Sequence, residues 1–238
     1  MTELLYQRDS YLRKFEATVV SLQGGYIVLD RTAFHPITGG VDCDTGLIGH
    51  LSQEFKVSQV LEDKLTGDVL HSVEGTPDVK IGDRVHCEID WGRRYRLMRL
   101  HIAAHILSSI LYRRHGALVT GGHIDPEHGR DDFNLESSEK AVFEEAIHET
   151  NSVIERGIEV KVYFLSREEA LKIPGVVKLA ERAPPNLASL RIVEIPGVDI
   201  QADGGPHVMN TREIGGIVLE KVENKGKGRK RVYYRLAQ

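Results

Sequence analysis

Cysteine is nearly absent from this chain: Cys43 and Cys87 are the two present, far apart and in no CxxC pair. Their scarcity argues against a disulfide-stapled scaffold and suits a reducing compartment, so a cytoplasmic location is expected. Long apolar runs are also lacking. The opening stretch MTELLYQRDSYLRKF carries charges throughout, and nothing later approaches the roughly 18 apolar residues that a membrane span requires. No membrane partner is expected. Nor is there an excess of charge of one sign, since 31 Lys and Arg face 35 Asp and Glu, a net charge of −4. That balance argues against a protein that coats nucleic acid indiscriminately, while leaving room for local basic surface. Internal repeats and low-complexity segments are absent, and nothing in the sequence specifies an oligomeric state.

What remains is an ordinary globular composition, 41% hydrophobic and 28% charged over 238 residues. A chain of this length buries a core without staples and forms one or two domains. The first ninety or so residues read as strands. Gly24-Gly25 splits the β-branched and aromatic run from Ala17 to Asp30, a hairpin signal. Thr38-Gly39-Gly40 marks another turn. Further β-rich runs follow at Gly46 to Val57, Val69 to Val73 and Arg84 to Ile89, so a small barrel or sandwich is expected. Near Trp91 the period changes. Leu97, Met98, Ile102, Leu107, Ile110 and Leu111 recur at helical spacing over Arg94 to Arg114. A second helix is expected from about Ser138 to Glu155, with Ser137 or Ser138 as N-cap and Gly157 as its stop.

Leu118 to Phe133 reads as strand and loop. Beyond Gly157 come a strand (Glu159 to Leu165), a short helix capped by Ser166, a strand (Leu190 to Ile195), a glycine-rich loop and a closing pair of strands, Ile214 to Val222 and Arg231 to Ala237. The fold class expected is α+β: a β-rich, barrel-like domain at 1–92 and an α+β domain at 93–238.

His101 and His105 lie four residues apart on the first helix. That spacing puts both imidazoles on one face, a turn apart, where they can share a cation at ~2.0–2.1 Å each. With eleven histidines in the chain, such a pair also arises by chance. The HExxH pattern is missing, because Ile102 follows His101, and a metalloprotease is disfavoured. A second element runs from Asp199 to Val208, where two glycines and a proline make a tight loop. His207 would bring a third nitrogen, and Asp203 a hard oxygen at ~2.0–2.2 Å, together a plausible zinc set. An ordinary turn closed by an Asx bond from Asp203 explains the same residues, and spacing alone weighs the two equally. Basic residues flank both elements. Arg93, Arg94, Arg96 and Arg99 precede the histidine pair and are expected near the site's entrance. Lys225, Lys227, Arg229, Lys230 and Arg231 crowd a glycine-bearing connection. Together they suggest a polyanionic substrate held by a local grip.

These pieces, in this order, resemble the AlaX family, free-standing relatives of the editing domain of alanyl-tRNA synthetase. Leu29 to Pro36 with Gly39-Gly40 and Asp44-Thr45-Gly46 is similar to the family's glycine-motif segment. Met98 to Leu107 is similar to its His-x-x-x-His helix, and Asp203 to Val208, with Asn210-Thr211 and Glu213-Ile214-Gly215, to its Cys-x-x-x-His segment. The resemblance implies an editing domain of the threonyl/alanyl-tRNA synthetase type, and one Zn2+ per chain. It also implies hydrolysis of the ester joining serine or glycine to the acceptor end of alanine tRNA. Carried over by position, His101, His105 and His207 are metal ligands, and Thr120 falls near the threonine that helps reject correctly attached alanine. The family's cysteine is replaced by Asp203 and its usual threonine by Pro206; His35 stands for tyrosine and Val41 for glutamine. The fourth ligand is therefore open between Asp203, Gln201 and water. Arg99, Lys225, Lys227 and Arg229 are the expected substrate contacts. The cation could activate a water or position the aminoacyl group. Rival readings are a metal-dependent hydrolase of small esters or amides and a non-catalytic tRNA-binding module.

Overall fold

The computed structural model describes residues 1–135, 140–173, 176, 188–226 and 228–237. They form two compact units, Met1–Leu97 and Met98–Gln238, against the expected division after residue 92. The first unit contains β1 (Glu3–Leu4), β2 (Lys14–Gln23), β3 (Tyr26–Leu29), β4 (Arg31–Thr32), β5 (Gly46–His50), β6 (Gln53–Glu62), β7 (Val69–Val73) and β8 (Arg84–Ile89). Six of them close a barrel in the order β2-β3-β7-β6-β5-β8, and β1 pairs with β4. Barrel rather than sandwich is thus the outcome. The β2–β3 hairpin turns on Gly24 and Gly25 at φ +55° and +90°, the left-handed values that a two-residue loop between twisted strands demands. Val19, Ile27, Leu29, Ile48, Val57 and Val85 fill the interior, each at an inward position of its strand. Cys43 and Cys87 are buried and unpaired by disulfide, and burial pushes the Cys87 thiol up to about 12. Both behave as small core hydrophobes.

Helix α1 spans Trp91–His115, three residues longer at its start than the periodicity predicts. The reason is Asp90, whose Oδ1 accepts from Arg93 N–H at 3.1 Å and whose carbonyl accepts from Arg94 N–H at 3.0 Å. An aspartate N-cap moves a helix start ahead of its first apolar residue. Gly116, at φ +64°, ends the helix in the left-handed position. Leu100, Ala103 and Ile106 are buried along with the expected apolar residues, so burial extends past a single stripe.

The second unit continues with β9 (Val119–Ile124), β10 (Gly129–Asn134), α2 (Lys140–Glu155), β11 (Lys161–Ser166), α3 (Arg167–Leu171), β12 (Ser189–Ile195), β13 (Asp199–Ala202), β14 (Ile217–Asn224) and β15 (Arg229–Leu236). An antiparallel sheet runs β14-β15-β10-β9 and a smaller one β11-β12-β13. Phe143, Ala146, Ile147, Thr150, Val153 and Ile154 form the buried face of α2, spaced as one side of a helix requires. Its expected caps, Ser137 and Ser138, lie outside the described residues. Ser166 caps α3 through a capping box with Glu169, as the sequence suggests. Two local expectations need correction. The segment at 118–133 is a β-hairpin, not a strand and loop, and the residues leading into the glycine-rich loop form a strand, β13. Asp125 turns the hairpin, accepting from the N–H groups of Glu127 and His128 at 2.7 and 2.8 Å. An Asx turn of this kind replaces the glycine signal that marks most hairpins.

Candidate metal centre

Helix α1 presents His101 and His105 one turn apart, and the loop after β13 brings Asp203 and His207 to them. One ligand atom from each of the four lies within 4.8 Å of the others. The His101 and His207 rings stack with centroids 4.2 Å apart, and His105 stands edge-on to both at 5.1 Å. All three imidazoles point Nε2 at the Asp203 carboxylate: His101 at 3.4 Å and His105 at 3.8 Å from Oδ2, His207 at 3.4 Å from Oδ1. The histidines are buried, and Asp203 keeps 24% of its side chain accessible.

The loop's composition follows from this convergence. A Cβ on residue 205 would stand 2.8 Å from Cε1 of His101, so only glycine lets the backbone pass the ring. Asp203 Oδ1 accepts from Gly205 N–H at 2.7 Å. The Asx turn and the metal reading are therefore compatible, one carboxylate serving both. Beneath the loop lies Arg191 of β12, a residue the sequence reading missed. Its Nη1 donates to the carbonyls of Asp203 and Gly205 at 2.9 and 2.8 Å and passes 3.4 Å from His207 Nδ1. Asp199, also missed, accepts from His105 Nδ1–H at 3.0 Å. Gln201, one of the alternatives for the fourth ligand, donates its Nε2 to Asp199 Oδ2 at 3.0 Å. Residues 199, 201 and 203 alternate along one strand direction, a signal that period-two reading makes available.

Electrostatics fit a cation at the centre. Burial opposes the charge on Asp203, yet the neighbouring His101 and His207 hold its carboxyl well below the usual carboxylate range. Burial, aided by the charge of His101, drives His207 well below an ordinary histidine. His105 goes the other way. Burial works against its proton, but the hydrogen bonds and charges of Asp199 and Asp203 hold the ring up at about 9. Among the described residues nothing hydrogen-bonds the buried Nδ1 of His101. The proton held on His105 faces the ionised Asp203 carboxylate, and a metal ion entering this desolvated spot would displace it and take up the imidazole lone pairs. Three nitrogens and one oxygen constitute a donor set suited to zinc. The residues present fit the ion.

The other expected site residues sit as follows. Thr120 on β9 is exposed and donates Oγ1–H to the Asp132 carbonyl at 3.3 Å. Arg99 directs Nε and Nη2 onto the Ile214 carbonyl at 3.1 and 2.6 Å. Lys225 is exposed on the β14–β15 connection and Arg229 is exposed at the start of β15, and Lys227 lies outside the described residues. Lys230 is buried and donates to Asn224 Oδ1 at 3.2 Å, while Arg231 forks onto Asp132 at 2.6 and 2.7 Å. Arg93 and Arg94 belong to the first unit, Arg94 in its interior and Arg93 partly exposed. Arg94 is fully buried, ion-paired with Asp44 and bonded to the Ser10 carbonyl at 2.9 Å, and Arg93 pairs with Asp42 at 2.5 Å. Both guanidinium groups are engaged in ion pairs within the first unit.

A family model described as "Threonyl and Alanyl tRNA synthetase second additional domain" matches residues 190–233. Another, "tRNA synthetases class II (A)", matches residues 8–93. The chain is 54% identical to a protein of Saccharolobus solfataricus named "Alanyl-tRNA editing protein AlaX-M", over 98% of each chain. A protein of the same name from Methanosarcina mazei is 42% identical over 99% of this chain and 97% of its own. The "Alanine--tRNA ligase" of Saccharolobus islandicus is 36% identical over 98% of this chain, which covers 26% of the ligase. Among the described residues no helix is long and apolar enough to cross a membrane.

Proposed function

The chain belongs to the alanyl-tRNA editing proteins, and from that premise we propose that it deacylates alanine tRNA wrongly charged with serine, and with glycine. His101, His105, Asp203 and His207 would hold one Zn2+ at the site of the reaction. The observation that carries this reading is the convergence of four donors, from a helix and a distant loop, within 4.8 Å of one another.

The bond to be broken is an activated ester, so the protein has to position it, admit a water and stabilise the charge of the tetrahedral oxyanion. When bound, the cation supplies Lewis-acid stabilisation of developing negative charge. Those four side chains would hold that cation, and Arg191 holds the loop that carries two of them. Asp203, with a quarter of its side chain accessible, marks the side from which the aminoacyl end approaches. Lys225, Lys227 and Arg229 neutralise phosphates of the tRNA, an interaction that weakens as salt rises. Serine exceeds alanine by one hydroxyl, and an apolar pocket rejects such an addition poorly. A site built to hydrogen-bond the hydroxyl does better, because alanine leaves its polar group unpaired. The Thr120 hydroxyl takes that role.

The test is hydrolysis of alanine tRNA charged in turn with serine, glycine and alanine, each with and without a chelator. Cleavage of the serine and glycine esters, sparing of the alanine ester, and loss of activity on chelation are expected. Activity indifferent to chelation would remove the metal from the mechanism. No cleavage of any ester by metal-loaded protein would remove the activity itself.

A further inference from the structure

We propose that Asp199 is a positioning residue for the metal centre, holding His105 in the tautomer and orientation that offer Nε2 to a cation. The inference rests on the metal-binding reading above and extends it to a residue that ligates nothing.

The argument starts from hydrogen-bond chemistry. An ionised carboxylate only accepts, so the 3.0 Å contact between Asp199 Oδ2 and His105 Nδ1 requires the proton on Nδ1. Once a bound cation displaces the ring's other proton, the lone pair is on Nε2, the atom that faces Asp203 Oδ2 at 3.8 Å. His105 thus lies between two carboxylates four residues apart in sequence. The inner one closes the ligand set and the outer one orients the ring. The other two histidines are supported differently. Nδ1 of His101 has no hydrogen-bond partner among the described residues, and Nδ1 of His207 faces the cationic Arg191 at 3.4 Å. The carboxylate behind His105 makes that imidazole the strongest donor of the set, since a carboxylate acceptor on the far nitrogen raises ligand basicity.

A purely structural role explains Asp199 poorly. Its side chain is fully buried, and a buried carboxylate is a poor way to hold a strand end. That task already has an owner: Ser109, one turn beyond His105 on α1, donates Oγ–H to the carbonyl of Val198 at 2.5 Å. Helix and strand are joined at the residue just before Asp199. What the carboxylate adds is specification of the His105 ring, and Gln201 Nε2, at 3.0 Å from the same Oδ2, holds the carboxylate in place for it.

The experiment compares the full-length wild type with Asp199→Asn and Asp199→Ala. Zinc affinity is measured by competition with a chromophoric chelator, and the fold of each metal-free protein is checked by circular dichroism. Asp199→Ala is expected to weaken zinc binding by about 10–100-fold. Asp199→Asn is near-isosteric, and its amide oxygen can still accept from Nδ1–H; it should fall between the two. In the cobalt-substituted wild type, the exchangeable Nδ1–H resonance of His105 should be slow to exchange, and in Asp199→Ala it should be lost to solvent. A contact that merely stabilised the fold would lower the melting temperatures of the two variants without ordering the affinities this way. Equal zinc affinity in all three proteins would overturn the proposal. Failure of the wild type itself to bind zinc would instead overturn the metal reading on which it stands.

Discussion

His71 sits inside the barrel of the first unit, fully buried, with both ring nitrogens in use. Nδ1–H donates to the Ile27 carbonyl at 2.9 Å, and Nε2, at 2.9 Å from Thr32 Oγ1, accepts the hydroxyl proton. Phe34 packs edge-on against the ring at 5.5 Å between centroids. A second proton would put a charge in this apolar interior, and burial lowers the ring from an ordinary 6.5 to about 4, only partly opposed by the bond to Ile27. In the unfolded chain His71 takes its proton near pH 6.5; in the fold it waits until about 4. Between those values the unfolded state binds more protons, so stability is complete above pH 6.5 and falls as the pH drops toward 4. At about 1.4 kcal/mol per pH unit, the loss between pH 7.5 and 5 is about 2 kcal/mol, and about 3 kcal/mol once pH 4 is passed. Trp91 is the single tryptophan and lies in the same unit, so its fluorescence during urea unfolding reports on the barrel. The comparison is with His71→Gln, which starts less stable but has nothing to titrate. Wild type should lose about 2 kcal/mol more than the variant between pH 7.5 and 5. Equal losses in the two proteins would refute the assignment of a neutral, desolvated His71.

Gly129 of β10 faces Tyr234 of β15, and a Cβ there would stand 2.3 Å from the ring carbons. Gly129→Ala should therefore cost about 1–3 kcal/mol in a thermal or denaturant melt, because the buried ring, whose hydroxyl donates to Asp131 at 2.7 Å, has nowhere to move. Gly92→Ala, where the new methyl meets only Asp90 Oδ1 at 3.5 Å, should be neutral or stabilising by a few tenths of a kcal/mol. Thr120→Val keeps the strand-forming shape and removes the hydroxyl. The ratio of seryl- to alanyl-tRNA cleavage should fall, and an unchanged ratio would end its assignment to selectivity. Replacing Lys225 and Arg229 with alanine should weaken tRNA binding at low salt and flatten the dependence of log K on log salt by about one for each phosphate no longer neutralised. Binding as salt-sensitive as that of the wild type would move the RNA-binding surface elsewhere.

The elements that could be read from the sequence are those whose cause is local. Strands β7 and β8 end where expected because alternation and flanking turn residues fall within a few residues of each other. His101 and His105 share a face because one helical turn separates them, whatever the rest of the chain does. Ser166 caps α3 because its partner Glu169 is three residues away.

Other features were decided by contacts between distant segments. Arg93 and Arg94 look like surface cations in the sequence, but Asp42 and Asp44, about fifty positions earlier, pair with them within the first unit, and Arg94 is fully buried there. Asp203 stands beside the histidines on a loop whose carbonyls Arg191 holds from a neighbouring strand, while Gln201 bonds Asp199. Asp199 supports His105 across 94 positions of chain. The amino-acid order alone thus determined the histidine pair, the tight loop and the two kinds of architecture, since helix pitch and strand alternation act over a turn or a few residues. Tertiary structure alone decided which carboxylate meets which imidazole and which cations stay exposed. Those pairings depend on strand register and burial, and both are set by the packing of the whole unit rather than by any one segment.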